Sequence, residues 1–232
     1  MTQPLRGHVA GHDHRDQCVA LVPIFAKLDP DERHEIAQRA REKKYGRNEQ
    51  LYGAGEKNPY LMIVHRGRVK IYRLAESGRE QLIRVLGPGD FIGEMSFISA
   101  SETDHFAVTL EDSQICSLHH EDIRSFLLRY PTIAYKMLET VTGRLEQTER
   151  LVSSLTGEDA ERRIASFLLE LAARDGKDTV ELPVSKKDLA SYLGTTPETV
   201  SRRLTAFEGK GWIRQGAKGR IEILDREAMA GM

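Results

Sequence analysis

The sequence predicts an α+β protein in which an N-terminal β-roll is joined by a long helix to a C-terminal winged helix-turn-helix. From Tyr45 to about Leu118, short alternating apolar runs are separated by glycine and proline, which is typical of a small antiparallel sandwich or jelly roll. After Pro131 the apolar residues recur at helical spacing, and beyond Gly157 helices and short strands follow in the order of a winged helix. We therefore expect an N-terminal arm and β-roll at 1–130, a long helix at 131–157 and a winged helix at 158–232.

The composition is that of an ordinary globular protein. The 232 residues carry a formal net charge of -1 and include two cysteines. No apolar run approaches a membrane span, and the N-terminal stretch MTQPLRGHVAGHDHRDQ lacks the apolar core of a signal peptide, so we expect a cytoplasmic protein with no membrane partner. In a reducing compartment thiols are normally free, so any pairing of the two cysteines would act as a switch. The sequence contains no P-loop, no G-x-S-x-G and no H-E-x-x-H, which argues against an enzyme.

The first elements follow from helix and strand signals. Residues 29–44 are predicted to be helical because Asp-Pro-Asp opens the segment and Ile36, Ala37 and Ala40 fall on one side. The runs LMIVHRGRVKIYRL and EQLIRVL, bounded by turn residues, then predict strands of the β-roll.

The long helix carries an apolar stripe with the spacing of a coiled coil. Its members recur at intervals of four and three residues: Ala134, Leu138, Val141, Leu145, Thr148, Val152 and Leu155. This is a seam of about three heptads. The alternative is a long core helix, but the flanking sequence TGRLEQTERLVSS is too polar for burial on all sides. We expect a homodimer that forms through Leu138, Val141, Leu145, Val152 and Leu155.

The C-terminal region predicts a helix-turn-helix followed by a wing. The expected elements are a helix at 160–174, a strand at 180–184, helices at 186–193 and 197–209 around a turn at Gly194, and a hairpin at 213–224. Thr196 is placed to cap the second helix of the pair. On that helix, Val200, Leu204 and Phe207 share one face, which leaves Glu198, Ser201, Arg202 and Thr205 on another.

Charge is distributed unevenly along the chain. Residues 85–123 contain no lysine or arginine, whereas residues 201–220 contain six basic residues against Glu208 alone. A phosphate backbone requires such a basic surface, and arginine, glutamate and serine side chains can all bond base edges. The alternative is that Glu198 and Arg202, four residues apart, form only a helix salt bridge. The helix-turn-helix and its basic wing favour DNA reading, with Lys218 on the wing.

With GPGDFIGEMSFI in the β-roll, the dimer helix and ETVSR in the second helix, the chain resembles the CRP/FNR transcription factors along nearly its whole length. The resemblance implies a cyclic-nucleotide-binding-like β-roll and a homodimer that binds palindromic promoter DNA and works with RNA polymerase. The pattern E-x-x-S-R resembles the FNR type, which implies that Glu198, Ser201 and Arg202 contact TTGA-like half-sites. Thr195, Thr196 and Arg203 would then make phosphate or flanking contacts.

The same resemblance argues against two signals known in the family. Members that bind cyclic AMP carry Gly-Glu followed by an Arg-Ser pair. Here Gly93 and Glu94 match, but positions 104–107 read Asp-His-Phe-Ala. An anionic nucleotide would meet net repulsion in this acidic stretch, so Gly93 and Glu94 are interpreted as turn or interdomain residues. An iron-sulfur cluster held by four cysteines of one subunit is excluded, because only Cys18 and Cys116 are present.

We therefore interpret Cys18 and Cys116 as the candidate residues that sense the signal. The motif CVALVPIF and the sequence QICSLHH resemble a two-cysteine branch of FNR-like proteins, which implies a reversible disulfide between these residues. A metal such as zinc, copper or iron, or a haem, is the alternative, because His12 and His14 precede Cys18 while His119 and His120 follow Cys116. The cysteines could also be structural, with a CRP-like small-molecule or nucleotide effector in the β-roll.

Overall fold

The computed structural model describes residues 19–20, 22–99 and 101–232, without the side chains of Asp175 and Lys218. Its helices are α1 (Pro30–Arg39), α2 (Glu94–Ser99), α3 (His120–Arg129), α4 (Pro131–Gly157), α5 (Ala160–Asp175), α6 (Lys186–Tyr192), α7 (Pro197–Gly209) and α8 (Arg226–Ala230). Its strands are β1 (Arg41–Tyr45), β2 (Gln50–Tyr52), β3 (Tyr60–Arg66), β4 (Val69–Leu74), β5 (Glu80–Leu86), β6 (Phe91–Ile92), β7 (Phe106–Thr109), β8 (Ser113–His119), β9 (Thr179–Glu181), β10 (Ile213–Gln215) and β11 (Arg220–Ile223). None of the helices in these ranges has the length and apolar character needed to cross a bilayer.

The β-roll consists of two four-stranded sheets with the orders β1-β8-β3-β6 and β2-β7-β4-β5. Strand β8 lies inside the first sheet and runs antiparallel to both neighbours, so that Cys116 is opposite Glu42 on β1 and Ile63 on β3. Successive side chains of a strand point to opposite faces, and Cys116 and Leu118 are both buried on the face that packs against the flanking helices. The predicted antiparallel β-roll is confirmed.

The N-terminal core joins the first sheet to helices that flank it. Its buried members include Ile24, Phe25, Ile36, Leu61, Ile63, Phe91, Cys116, Leu118, Ile133 and Met137. Complete burial of a large apolar side chain contributes about 1.5–3 kcal/mol. The core therefore fixes the start of α4, through Ile133 and Met137, against the β-roll.

The predicted helix at 29–44 is partly wrong. Helix α1 begins as expected: Asp29 accepts a hydrogen bond from the Glu32 backbone N–H at 2.8 Å, and the Glu32 carboxylate accepts one from the Asp29 N–H at 2.9 Å. The helix ends at Arg39, and Ala40 has extended φ and ψ angles of -70° and 136°. Residues Arg41–Tyr45 form strand β1, because pairing with β8 satisfies their backbone groups and overrides the helix preference of this charged stretch.

The chain divides into two compact units. One comprises the chain up to Val69 together with Leu86–Val141, and the other comprises Lys70–Val85 and Thr142–Met232. The second unit thus contains the winged helix and also the hairpin of β4 and β5. Helix α4 begins and ends where the sequence predicts, from Pro131 to Gly157.

The winged helix combines the four helices α5, α6, α7 and α8 with a small sheet of the order β10-β11-β9. Its buried apolar residues include Ile164, Leu168, Leu189, Val200, Leu204, Phe207, Ile213 and Ile221. The predicted α+β class and C-terminal helix-turn-helix are confirmed, although the first strand is shorter than predicted and ends at Glu181.

Candidate nucleic-acid interface and sensor region

The turn between α6 and α7 is built from local hydrogen bonds. Gly194 has a positive φ of 60°, a conformation that glycine adopts at little cost. The N–H of Thr195 donates to the Ala190 carbonyl at 2.9 Å. Thr196 then caps α7, because its hydroxyl oxygen accepts from the Thr199 N–H at 3.2 Å. The sequence-predicted residues Thr195 and Thr196 therefore set the geometry of the turn.

Helix α7 has a buried face and a polar outer face. Val200, Leu204 and Phe207 are fully buried. Glu198 and Arg202 are exposed and Ser201 is half-buried. No ion pair joins Glu198 to Arg202 in the part of the chain that the structure describes, so the salt-bridge interpretation gains no support. A glutamate, a serine and an arginine in this arrangement can accept from and donate to base edges in a major groove.

Arg203 forms an ion pair with a carboxylate on the neighbouring helix α5. Its guanidinium Nη1 is 2.6 Å from Oε2 of Glu161 on α5, and Lys210 Nζ is 3.0 Å from the other oxygen of the same carboxylate. The Glu161 side chain is 18% exposed, so this shared contact is screened less than a surface pair. The prediction of Arg203 as a phosphate contact stays a prediction, and the geometry gives Arg203 a structural contact that the sequence did not indicate.

Hydrogen bonds from Gln215 attach the wing to the end of α7. The Gln215 N–H donates to Glu208 Oε1 at 2.7 Å, and its side-chain amide donates to Oε2 at 3.1 Å. These two donors lower the pKa of the Glu208 carboxyl, and weak burial opposes them. Lys218 lies in the turn Ala217–Gly219 at the tip of the wing, and its side chain is outside the described part of the chain.

Helix α4 shows opposite apolar faces with different surroundings. Ile133 and Met137 are buried in the N-terminal core. All seven predicted seam residues are exposed within the single chain, with Leu138 at 64%. The exposed large apolar seam residues are Leu138, Val141, Leu145, Val152 and Leu155. A continuous apolar stripe of this kind is a surface that another helix can cover.

Cys116 is buried between the first sheet of the β-roll and the helices that flank it. Its side chain is 3% exposed and belongs to the N-terminal core. Its sulfur is disulfide-bonded rather than a free thiol. Cys18 is the other cysteine of the sequence. Cys18, His12 and His14 lie outside the described residues.

The two histidines after Cys116 have structural contacts of their own. His119 caps α3, with its Nδ1 accepting from the Glu121 N–H at 3.3 Å. The His120 ring stacks edge-on against Phe97 at a centroid distance of 5.4 Å, and burial lowers the pKa of His120. Within the described ranges, no group of three or more histidine, cysteine, aspartate or glutamate side chains is arranged to hold a metal ion.

The positions where the resemblance places a cyclic nucleotide have a different chemistry here. His105 Nδ1 is 2.8 Å from Asp104 Oδ1, and His105 Nε2 is 2.9 Å from the hydroxyl of Tyr52. Gly93 has a φ of 105°, and a Cβ atom there would lie 2.2 Å from the Tyr60 carbonyl oxygen. Glycine is therefore required at position 93, because the backbone of Tyr60 leaves no room for a Cβ atom. This agrees with the interpretation of Gly93 as a turn residue.

Two family models match the chain. The model described as a Crp-like helix-turn-helix domain matches residues 162–232, and the model described as a cyclic nucleotide-binding domain matches residues 42–130. These two ranges contain the exposed face of α7 and most of the β-roll.

Curated proteins and solved structures match over most of the chain. The chain is 32% identical to the probable transcriptional regulator flp of Lacticaseibacillus casei, across 91% of this chain and 96% of that protein. It is 31% identical to the cyclic AMP receptor protein of Thermus thermophilus, across 89% and 93%. The structure of FixK2 from Bradyrhizobium japonicum superimposes with a TM-score of 0.74 at 27% identity, across 83% of this chain and 96% of that one.

Proposed function

Because the chain belongs to the CRP/FNR family of DNA-binding transcription regulators, which are not enzymes, we propose that it is a homodimer reading an inverted repeat of TTGA-like half-sites. We further propose that a disulfide between Cys18 and Cys116 controls its activity, and that RNA polymerase is its partner at promoters. The observation that carries the proposed readout is the outer face of α7, where Glu198 and Arg202 are exposed beside Ser201.

The readout is tested by comparing two arginines of the same domain. Arg202 lies on the outer face of α7, whereas Arg220 is exposed at the start of β11 on the wing. Arg202→Ala should weaken binding to the inverted repeat by about 5- to 150-fold, which corresponds to roughly 1–3 kcal/mol for a bidentate base contact. Arg220→Ala should weaken binding to all sequences alike.

Fluorescence anisotropy with the repeat and with a scrambled duplex at one salt concentration distinguishes these effects. An equal loss on both duplexes in the Arg202 variant would return this residue to a non-specific role.

The exposed seam of α4 supports the proposed homodimer. A helix-turn-helix dimer binds two half-sites about one helical turn apart, so two copies must be held in a fixed arrangement. A second copy would cover the apolar stripe by coiled-coil packing. Val141→Glu with Leu145→Glu should give a monomer at micromolar concentration, because paired carboxylates would be buried in the seam.

The matched control is Thr142→Glu with Ser153→Glu, which adds the same charge at exposed positions of α4 outside the seam. Analytical ultracentrifugation should show a dimer for the control. A dimer for the seam variant would contradict the assignment.

The proposed switch is supported by the bonded state of Cys116, since Cys18 is the other cysteine of this chain. Oxidation of two thiols to a disulfide releases two protons and transfers two electrons to an oxidant such as a small disulfide. Mass spectrometry after thiol alkylation, with metal analysis of anaerobically purified protein, separates disulfide, metal and free thiols. We expect DNA affinity to differ by at least about fivefold between the oxidised and reduced forms, and Cys18→Ser to abolish the difference.

A metal is the alternative that the residues support less well. Cys116 is buried and bonded, and His119 caps a helix, so these groups do not fit a metal site among the described residues. A cyclic nucleotide is likewise disfavoured as the signal, because Asp104 and His105 stand where the family's phosphate-binding pair is expected. Stoichiometric metal in the anaerobic protein would contradict the disulfide proposal.

A further inference from the structure

A buried arginine joins the end of α4 to the turn of the helix-turn-helix. Arg163, on α5, is 9% exposed. Its Nε donates to the Leu193 carbonyl at 2.9 Å, and its Nη1 donates to the Glu158 carbonyl and, at 3.5 Å, to the Ser154 carbonyl. Leu193 is the C-cap of α6, Ser154 lies in the last turn of α4, and Glu158 directly follows α4. One guanidinium group therefore bonds the C-terminal ends of two helices.

The electrostatics of these helix ends explain how a charged group is buried between them. A helix C-terminus carries a partial negative charge, because its last carbonyl groups lack N–H partners within the helix. Burial of a charge is costly unless the group is hydrogen-bonded, and a guanidinium offers five N–H donors in a fixed planar arrangement. The ammonium group of a lysine is a compact point charge and cannot reproduce that geometry. Arg163 thus fixes both the distance and the angle between the two helix ends.

An apolar contact beside Arg163 also holds α4 against this turn. A Cβ atom at Gly194 would lie only 2.6 Å from Leu155 Cδ2, so the Leu155 side chain packs directly on the backbone of the turn. These contacts lie within one compact unit, which includes Thr142–Met232. Helix α7 begins shortly after the turn, at Pro197. The polar and apolar contacts together hold the start of α7 at a fixed place on α4.

The first turn of α5 bonds α7 as well. Glu161 lies two residues before Arg163, and its carboxylate pairs with Arg203 on α7 and with Lys210 at the end of that helix. The start of α5 therefore contacts α4, the turn and α7. This arrangement fixes the orientation of α7 relative to the second half of α4.

In a dimer, this attachment determines how far apart the two copies of α7 lie. A helix-turn-helix dimer contacts half-sites about one helical turn apart. One added base pair moves a half-site by about 3.4 Å along the DNA and rotates it by roughly 35° around the axis. A rigidly attached α7 would no longer face such a half-site, whereas a loosely attached α7 could follow it.

We propose that Arg163 is a positioning residue that determines which spacing between half-sites the dimer accepts. Its buried side chain acts by holding α7 in a fixed orientation on α4. This proposal rests on the proposed homodimer and its inverted repeat, and it does not depend on the TTGA sequence or on the cysteine switch.

Arg163→Lys tests the proposal, because it keeps the positive charge and removes the planar group. Fluorescence anisotropy measures binding to the preferred repeat and to two repeats whose spacer is one base pair shorter or longer. The wild type should bind the two altered repeats at least about tenfold more weakly. In the variant, affinity for the preferred repeat should fall by about three- to tenfold, because a loosened protein loses more freedom on binding. Its affinity for the altered repeats should equal or exceed that of the wild type.

The ratio between the repeats distinguishes positioning from a general effect on stability. A variant that is only less stable loses affinity for all three repeats alike, and this outcome would overturn the proposal. Arg162→Lys is the matched control, because Arg162 is the exposed neighbour on the same helix, and it should keep the wild-type preference. Arg163→Gln is the second variant, because its amide can still donate to a carbonyl, and it should lose the spacing preference as well.

The wild type gives a test that does not require a variant to fold. Binding of all three repeats by the wild type within about twofold would show that α7 is not rigidly attached, and would overturn the proposal. The preferred repeat is first selected by the wild type from random duplexes. Selection of an inverted repeat with other half-sites would contradict only the TTGA assignment. Selection of a site without an inverted repeat would contradict the proposed homodimer and, with it, the role of Arg163.

Discussion

Polar side chains join distant parts of the chain in the β-roll, whereas in the winged helix many of them act within one turn of their own helix. The buried hydroxyl of Thr109 donates to the Gly46 carbonyl at 2.6 Å and accepts from the Glu49 N–H at 2.9 Å. Thr103 likewise bonds the Gly53 carbonyl, fifty residues earlier in the sequence. These hydrogen bonds form only once the sheets have assembled.

The winged helix begins its helices with caps that span three residues. The capping pairs are Asp159 with Arg162, Ser185 with Asp188, Thr196 with Thr199 and Asp225 with Ala228. Each side-chain oxygen accepts one of the backbone N–H groups that a helix start leaves without a partner. Loss of a cap should therefore affect one helix, while loss of a long-range bond should affect the assembly of the β-roll.

The largest loss of stability is expected from Thr109→Val in the β-roll. This nearly isosteric change removes both hydrogen bonds of a hydroxyl on a fully buried residue, one to the Gly46 carbonyl and one from the Glu49 N–H. The free energy of unfolding should fall by about 2 kcal/mol, at about 1 kcal/mol for each bond. Thr179→Val, on an exposed position of β9, is the control and should be close to neutral. Urea unfolding measures both variants. Equal stability of the two would show that the long-range bonds contribute little.

A smaller loss is expected from Thr196→Ala at the start of α7. Removal of a threonine cap costs about 1 kcal/mol. Thr205→Ala on the same helix is the control, because its hydroxyl bonds only the Ser201 carbonyl. The two variants are compared by thermal unfolding, and the cap variant should also bind DNA less well. A larger loss in the Thr205 variant would contradict a cap at Thr196.

The smallest effect concerns pH and the attachment of the wing. The folded-state pKa of Glu208 lies below its ordinary value of 4.5, because the carboxylate accepts two hydrogen bonds from Gln215. The stabilisation is therefore complete above pH 4.5 and is lost as the pH falls through the lowered pKa. Glu208→Gln should weaken the acid dependence of unfolding below that pH. If the free energy of unfolding of this variant falls below pH 4.5 in the same way as that of the wild type, Glu208 does not contribute to the acid dependence.

The sequence predicted best those elements whose signals are local. Helix α7 runs from Pro197 to Gly209 as expected, since its cap, its first-turn proline and its apolar spacing all lie within it. Helix α4 likewise matches its predicted range. The stretch Arg41–Tyr45 was predicted incorrectly because its partner, β8, lies about seventy residues away. No local sequence pattern indicates that two such distant segments pair.

The same distinction between local signals and long-range contacts applies to the winged helix. The exposed face with Glu198, Ser201 and Arg202 follows from helical spacing alone. The contact of Arg203 with Glu161 depends on how α5 packs against α7, so the sequence did not indicate it. The hydrogen bond from the Ser191 hydroxyl on α6 to the Glu80 carbonyl on β5 joins residues more than a hundred positions apart and was missed for the same reason.

The carboxylates that pair with basic side chains of the winged helix also affect how its DNA affinity depends on salt concentration. Arg203 and Lys210 share Glu161, and Arg214 lies 2.6 Å from Glu222. A basic group that stays on a carboxylate releases no counterions from DNA, so each one removes roughly one unit from the slope of log affinity against log salt. Non-specific binding is almost wholly electrostatic, so it is weakened more than binding at the correct site. A winged helix whose basic side chains are paired with carboxylates therefore spends less time on random genomic sequence.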